Sequence, residues 1–214
     1  MIPPPTQTLA DVAGQLRDDE IHVWHLAYQH AERRAPLHRV LAAYLGIDAS
    51  AVALIDGEHG RPALAAVHDQ SIGFNWSHSG DHALIAIARH LTPGIDLENV
   101  RPRPRALEIA RRYFSAGEVA ALTALPAVER SVAFLELWTA KEAVLKALGR
   151  GLAFGLHRLS VASEGTRLTL QELDGEDVQD WQLRRLTLDP TLLAALAWRG
   201  EARQVRLHLL ASNG

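Results

Sequence analysis

The sequence predicts an α+β fold made of two halves, each a helical stretch followed by short strands. Leu37, Val40, Leu41, Tyr44 and Leu45 recur at helical spacing, and so do Leu135, Trp138 and Leu145. Short apolar segments bounded by Gly, Pro, Asn and Asp follow each of these stretches. A Pro/Arg-rich tract at 99–105 parts the chain into halves at 1–100 and 101–214. The 214 residues suffice for a substantial core, and the 48% apolar fraction places the chain among globular proteins.

In order, residues 28–46 read as mostly helix, with Pro36 marking a break or a first turn and Gly46 a C-cap. A short strand is expected at 51–55, then a turn-rich loop at 57–62. Residues 74–80 run from a strand into a turn at Gly80. Strands at 83–88 and 93–97 follow and are expected to pair antiparallel with each other. Helices are expected at 106–114, 116–123 and 129–148. Ser115 and Glu118 form a capping box, and Gly149 and Gly151 end the long helix. Strands at 157–162, 166–170, 179–186, 192–198 and 204–210 complete the chain.

Composition removes several function classes. The chain has no cysteine, which excludes disulfides, cysteine nucleophiles, Fe–S clusters and Cys-containing zinc sites. Met1 to Pro5 carry neither a basic nor an apolar targeting region. The longest apolar runs, 83–88 and 192–198, fall short of the ~20 residues that a membrane span needs. A soluble, cytoplasmic protein without membrane contact is expected. The net charge of −3 argues against a general nucleic-acid binder. Charge is uneven, however. Arg101, Arg103, Arg105, Arg111 and Arg112 crowd together, and Arg33, Arg34 and Arg39 form a second cluster. They read either as solvated surface or as contacts to an anionic ligand or partner.

The chemistry centres on carboxylates. Glu142 falls on the apolar stripe of Leu135, Trp138 and Leu145, where a lone buried carboxylate costs several kcal/mol unless a cation or donors meet it. Asp96 and Glu98 stand at i and i+2 in an apolar run, which on a strand sends both side chains to one face. Three oxygen ligands converging from two elements suit a hard divalent cation such as Mg2+. The plainer readings are that Asp96 and Glu98 pair with nearby arginines, and that Glu142 pairs with Lys146 one turn on. Ser77 and His78 are adjacent, which does not aim them at each other as nucleophile and base. They read better as a polar turn that meets phosphate oxygens, against the plain alternative of a satisfied turn histidine. Neither His22 with His25 nor His78 with His82 makes a complete zinc site.

Taken in order, these motifs resemble the surfactin-type 4′-phosphopantetheinyl transferases. The resemblance rests on Gly60-Arg61-Pro62, Phe74-Asn75-Trp76-Ser77-His78-Ser79-Gly80, Gly94-Ile95-Asp96-Leu97-Glu98, Trp138-Thr139-Ala140-Lys141-Glu142 with Leu145 and Lys146, and Arg150-Gly151-Leu152. It runs from about Gly57 to Leu159, and it implies two similar α/β halves in one chain with the active site between them. It implies Mg2+-dependent transfer of phosphopantetheine from coenzyme A to a serine of an acyl- or peptidyl-carrier protein, with release of adenosine 3′,5′-bisphosphate. By position, Asp96, Glu98 and Glu142 correspond to metal ligands, and Glu142 is also a candidate base. Lys146 and His78 correspond to phosphate contacts, and Arg61, Ser77 and Arg34 to further coenzyme A contacts. Asp96, Glu142 and Lys146 are thus the expected catalytic set. The stretch before the first helix is short for the family, which leaves the 3′-phosphate contacts unassigned. A monomer is expected, since both halves lie in one chain. Two other readings are a different Mg2+-dependent diphosphate or nucleotide enzyme and a non-catalytic module that binds carrier proteins.

Overall fold

The computed structural model describes residues 8–57, 60–165 and 167–210. A short helix α1 (Leu9–Ala13) precedes strand β1 (Glu20–Ala27) and helix α2 (Ala35–Leu45). A small hairpin, β2 (Leu54–Asp56) and β3 (Pro62–Leu64), leads to the longer hairpin of β4 (Ile72–Ser79) and β5 (His82–Arg89). Strand β6 (Gly94–Asn99) comes next, then three helices: α3 (Ala106–Tyr113), α4 (Ala116–Ala124) and α5 (Ala127–Leu148). Two hairpins follow, β7 (Leu159–Glu164) with β8 (Arg167–Leu173) and β9 (Trp181–Leu186) with β10 (Leu192–Arg199). Strand β11 (Gln204–Leu210) ends the described chain.

Two sheets carry the architecture, in the orders β11-β1-β5-β4 and β6-β10-β9. They stack face to face. Ile21, Val23, Leu84, Ala86 and Ala88 of the first meet Ile95, Leu97, Ala194, Leu196 and Trp198 of the second. The alternate residues point outward, as the two-residue period of a strand requires. Trp24, Leu26, Ile85 and Ile87 pack against Leu37, Val40 and Leu41 of α2. Ala195 and Ala197 pack against Ala140, Ala143 and Val144 of α5. The layers therefore run helix, sheet, sheet, helix. Each fully buried Leu or Ile contributes roughly 1.5–3 kcal/mol of transfer free energy, so the three apolar layers hold the sheets in place.

The order strand, helix, hairpin occurs twice, as β1, α2, β4/β5 and as β6, α5, β9/β10. In each, the second hairpin strand pairs antiparallel with the opening strand. The sheets do not part at residue 100, however. Strand β6 lies in the second sheet, and β11 returns to the first as a parallel neighbour of β1.

Local signals were reliable where they were caps. Ser115 and Glu118 form the reciprocal box, and Gly46 and Gly149 close their helices in the left-handed conformation. Other expectations need correction. The helix read at 28–46 covers only Ala35–Leu45, because Pro36 fits only a first turn and Arg33 takes a φ of +51°. Before it stand a 3-10 turn (His30–Glu32) and β1, which was not expected, nor was α1. Strands β5 and β6 do not pair: β5 already has β1 on one edge and β4 on the other, so β6 joins β10 instead. The strand read at 51–55 is Leu54–Asp56, because Ala49–Ala51 forms a 3-10 turn. Those read at 157–162 and 179–186 begin later, at Leu159 and Trp181, because 3-10 turns over Leu156–Arg158 and Val178–Asp180 precede them. Met1 to Pro5, Glu58, His59 and Thr166 lie outside the described residues.

Candidate active site

Strand β4 is an edge of the first sheet and β6 an edge of the second. No backbone ladder joins them, and side chains do so instead. Asn75 Oδ1 accepts from Ile95 N at 3.1 Å. Ser77 Oγ donates to Asp96 Oδ1 at 2.8 Å, and Ser79 Oγ to Glu98 Oε2 at 3.0 Å. Ser79 is in turn bonded by Asn99, through its backbone N–H to the hydroxyl and its amide to the carbonyl. Asn75, Ser77 and Ser79, alternate residues of β4, thus hold β6.

Helix α5 lies directly against β6. A Cβ on Gly94 would come within 1.9 Å of the Ala143 carbonyl oxygen, so only glycine permits this approach. The approach brings Lys146 Nζ to 2.7 Å from Asp96 Oδ1 and 3.0 Å from the Ile95 carbonyl. Leu135 and Leu145 are buried and Trp138 is half-buried, as the stripe predicts. Glu142 is not paired with Lys146, which is committed to Asp96; among the described residues it makes no ion pair, and its Oε1 is buried without a hydrogen-bond partner. Burial, reinforced by Asp96 and Glu98 and opposed by Lys146, pushes its carboxyl up to about 7.

The three carboxylates share one feature. Protein donors hold Oδ1 of Asp96 and Oε2 of Glu98, and leave Oδ2 and Oε1 without a side-chain or backbone partner among the described residues. With Glu142 Oε1, that makes three oxygens without donors on neighbouring acids. As they stand they do not close a ligand set, and no group of three His, Asp or Glu side chains among the described residues is arranged to hold a metal. Their chemistry still fits a hard cation. Mg2+ is commonly held by one or two carboxylates, with waters and substrate phosphates completing its octahedron. The plainer reading of Glu98 is half true, since Arg103 Nη2 lies 3.2 Å from Oε2.

The expected coenzyme contacts separate into two groups. His78 is exposed and stacks on Tyr28 at 4.8 Å, near His30 and Trp76. Desolvation of the ring, then the neighbouring charges of His30 and Lys146, draw its pKa down. Arg61 is half-buried and donates from Nη1 to the Lys146 carbonyl at 2.6 Å, beside the Gly149 cap. It meets the unsatisfied carbonyl end of α5, where cations are favoured. Ser77 is buried with its hydroxyl committed to Asp96. Arg34 pairs with Asp56 on the exposed surface at 3.1 Å and touches none of the acids. Ser77 and His78 point to opposite faces of β4, so no nucleophile–base dyad forms. His22 bonds Tyr44 and His25 bonds His82, so they share no zinc site.

Sequence reasoning gave Asn75 and Ser79 no role, although a signal existed: Asn75, Ser77 and Ser79 form a polar series of period two inside an apolar strand. It also missed Lys141, which is fully buried.

The profile of the 4′-phosphopantetheinyl transferase superfamily matches residues 92–197, a stretch that includes Asp96, Glu98, Glu142 and Lys146. The 4′-phosphopantetheinyl transferase HetI of Nostoc sp. is 32% identical over 203 residues, covering 92% of this chain and 84% of that protein. The putative 4′-phosphopantetheinyl transferase slr0495 of Synechocystis sp. is 34% identical over 161 residues, covering 72% of this chain and 65% of that protein. The 4′-phosphopantetheinyl transferase Sfp of Bacillus subtilis is 34% identical over 122 residues, covering 57% of this chain and 52% of that protein. No helix among the described residues is long and apolar enough to cross a membrane.

Proposed function

The chain belongs to the 4′-phosphopantetheinyl transferase superfamily, and on that premise we propose that the β4–β6–α5 site transfers 4′-phosphopantetheine from coenzyme A to a carrier-protein serine. One observation carries the reading: the buried, donorless oxygen of Glu142 beside Asp96 and Glu98. In this reading those three residues hold Mg2+, whose chemistry is to neutralise charge on the diphosphate and its leaving group. Lys146 and His78 meet the phosphates, and Arg61 braces the helix end that presents Lys146. Glu142, whose Oε1 has no protein donor, is in this reading also the candidate acceptor of the serine proton. The bond from serine Oγ to phosphorus forms as the diphosphate P–O bond breaks. Adenosine 3′,5′-bisphosphate leaves with the electron pair.

The ordered motifs support the surfactin-type branch of the superfamily. That both sheets of the site come from one chain supports a monomer, checked by light scattering. In this reading the protein acts in the cytoplasm.

The test is direct. The protein is incubated with coenzyme A, Mg2+ and an apo carrier protein, and the carrier is weighed. A gain of one phosphopantetheine is expected, abolished by a chelator. An unchanged carrier mass across fatty-acid, polyketide and peptide carriers would leave the binding-module reading instead.

A further inference from the structure

We infer that Arg103 weakens the grip of the three carboxylates on a divalent cation, by acting as a built-in counterion to Glu98; the inference rests on the cation reading above. Among the described residues two protein cations touch the acids, Lys146 on Asp96 and Arg103 on Glu98. Lys146 also bonds the Ile95 carbonyl and so helps fasten α5 to β6. Arg103 has no such second task for its side chain. Its guanidinium meets Glu98 through Nη2 alone, at 3.2 Å, and its Nε is buried without a partner. A structural arginine would normally grip a carboxylate with both arms of its fork. This contact delivers charge rather than fit.

The charge is held in place from elsewhere. The Arg103 backbone N–H donates to Ser131 Oγ of α5 at 3.0 Å. Glu98 in turn does not depend on Arg103 for its position. Ser79 Oγ holds the same Oε2, and Asn99 ties that serine down. Removing the guanidinium therefore leaves Glu98 where it is and takes one positive charge away from the place where a divalent ion would sit. A neighbouring like charge in a partly buried site disfavours the ion by about tenfold or more, once solvent screening is allowed for. The consequence for the site is an order of events. The carboxylates alone hold the ion weakly, and the phosphates of the coenzyme are needed to complete its binding.

The experiment titrates Mn2+ into the full chain without any nucleotide and reads free ion by electron paramagnetic resonance. The wild type is compared with Arg103→Gln, Arg103→Lys, Arg105→Gln and Asp96→Ala. Arg103→Gln should bind Mn2+ about tenfold more tightly. Arg103→Lys, which keeps the charge, and Arg105→Gln, whose arginine pairs with Glu108 instead, should match the wild type. Structural damage would loosen binding, so tightening is the diagnostic result. Circular dichroism checks the fold, and Arg103→Met gives the same reading should the glutamine disturb it. Equal or weaker binding by both neutral variants overturns the inference while leaving the cation site intact, provided that Asp96→Ala loses binding. If wild type and Asp96→Ala bind alike, the cation reading itself fails and this inference falls with it.

Discussion

Lys141 Nζ lies 2.6 Å from Glu118 Oε2, and neither side chain shares the contact with solvent. The ammonium also donates to the carbonyls of Leu156 and Leu159, and stands 4.9 Å from the centre of the Phe114 ring. Glu118 caps α4 through Ser115 and accepts the Val161 backbone N–H with its other oxygen. One ion pair therefore fastens α4, α5 and β7 together. Burial draws the lysine's pKa down, and Glu118 works against that.

Breaking this pair from one side leaves a buried charge without its partner. Lys141→Met should lower stability by roughly 3–5 kcal/mol in urea unfolding at constant slope. A loss below about 1 kcal/mol would mean that the pair is replaceable packing.

The acids of the site should behave differently. Asp96→Ala and Glu142→Ala should lower turnover by about a hundredfold or more with the fold retained, since each removes an electrostatic contact worth several kcal/mol. Circular dichroism and single-turnover kinetics measure the two halves of that statement. Full activity of Asp96→Ala at ordinary Mg2+ would remove the metal assignment.

Glu142 also makes a pH prediction for the metal-free protein. Its folded pKa of about 7 lies above its ordinary 4.5, so between those values the native state holds a proton that the unfolded chain has lost. Stability must then fall as pH rises from 4.5 through 7, and stay lower above it. Glu142→Gln should escape the loss, and at pH 8 in a chelator it should be more stable than the wild type by roughly 1–3 kcal/mol. At pH 4 the two should agree. Equal stability at pH 8 would show that the carboxylate is solvated rather than confined.

His78 and Lys146 can be tested on coenzyme A binding. Charge-assisted hydrogen bonds contribute about 1.5–3 kcal/mol, so Lys146→Ala should weaken affinity at least tenfold by calorimetry, and His78→Ala by less. Arg34→Ala should change little, because Arg34 is paired with Asp56 at the surface. Unchanged affinity in both Lys146→Ala and His78→Ala would make these residues structural.

The arginine cluster divides along the same lines. Arg103 and Arg105 are paired with Glu98 and Glu108. Arg111 and Arg112 are exposed on α3 and make no ion pair among the described residues, though Arg112 lies over the Tyr113 ring. We propose these two as the docking contacts for a carrier with an acidic surface. Reversing either charge should raise the KM for the carrier and flatten its salt dependence, with coenzyme A affinity unaltered. Carrier kinetics with the wild-type salt slope would place docking elsewhere.

What the sequence by itself determined about this protein is what local chemistry specifies. Helices α3, α4 and α5 were legible from period and caps, because Ser115, Glu118 and Gly149 act within one turn of where they stand. Asp96 and Glu98 were legible as a pair because strand alternation follows from the backbone alone. Tertiary structure decided the rest. Strand β6 joined β10 because β5 had no free edge, a fact that depends on β1, whose Ile21 pairs with Ala88 from far along the chain. Lys141 and Lys146 belong to one motif and one helix, and spacing puts them roughly 140° apart around it. Which of the two would be buried with Glu118 and which would reach Asp96 followed from how α5 settles on Gly94, where the absence of a Cβ lets helix and strand touch. Neither lysine's own neighbours in sequence carry that information, because the partners come from α4 and from β6.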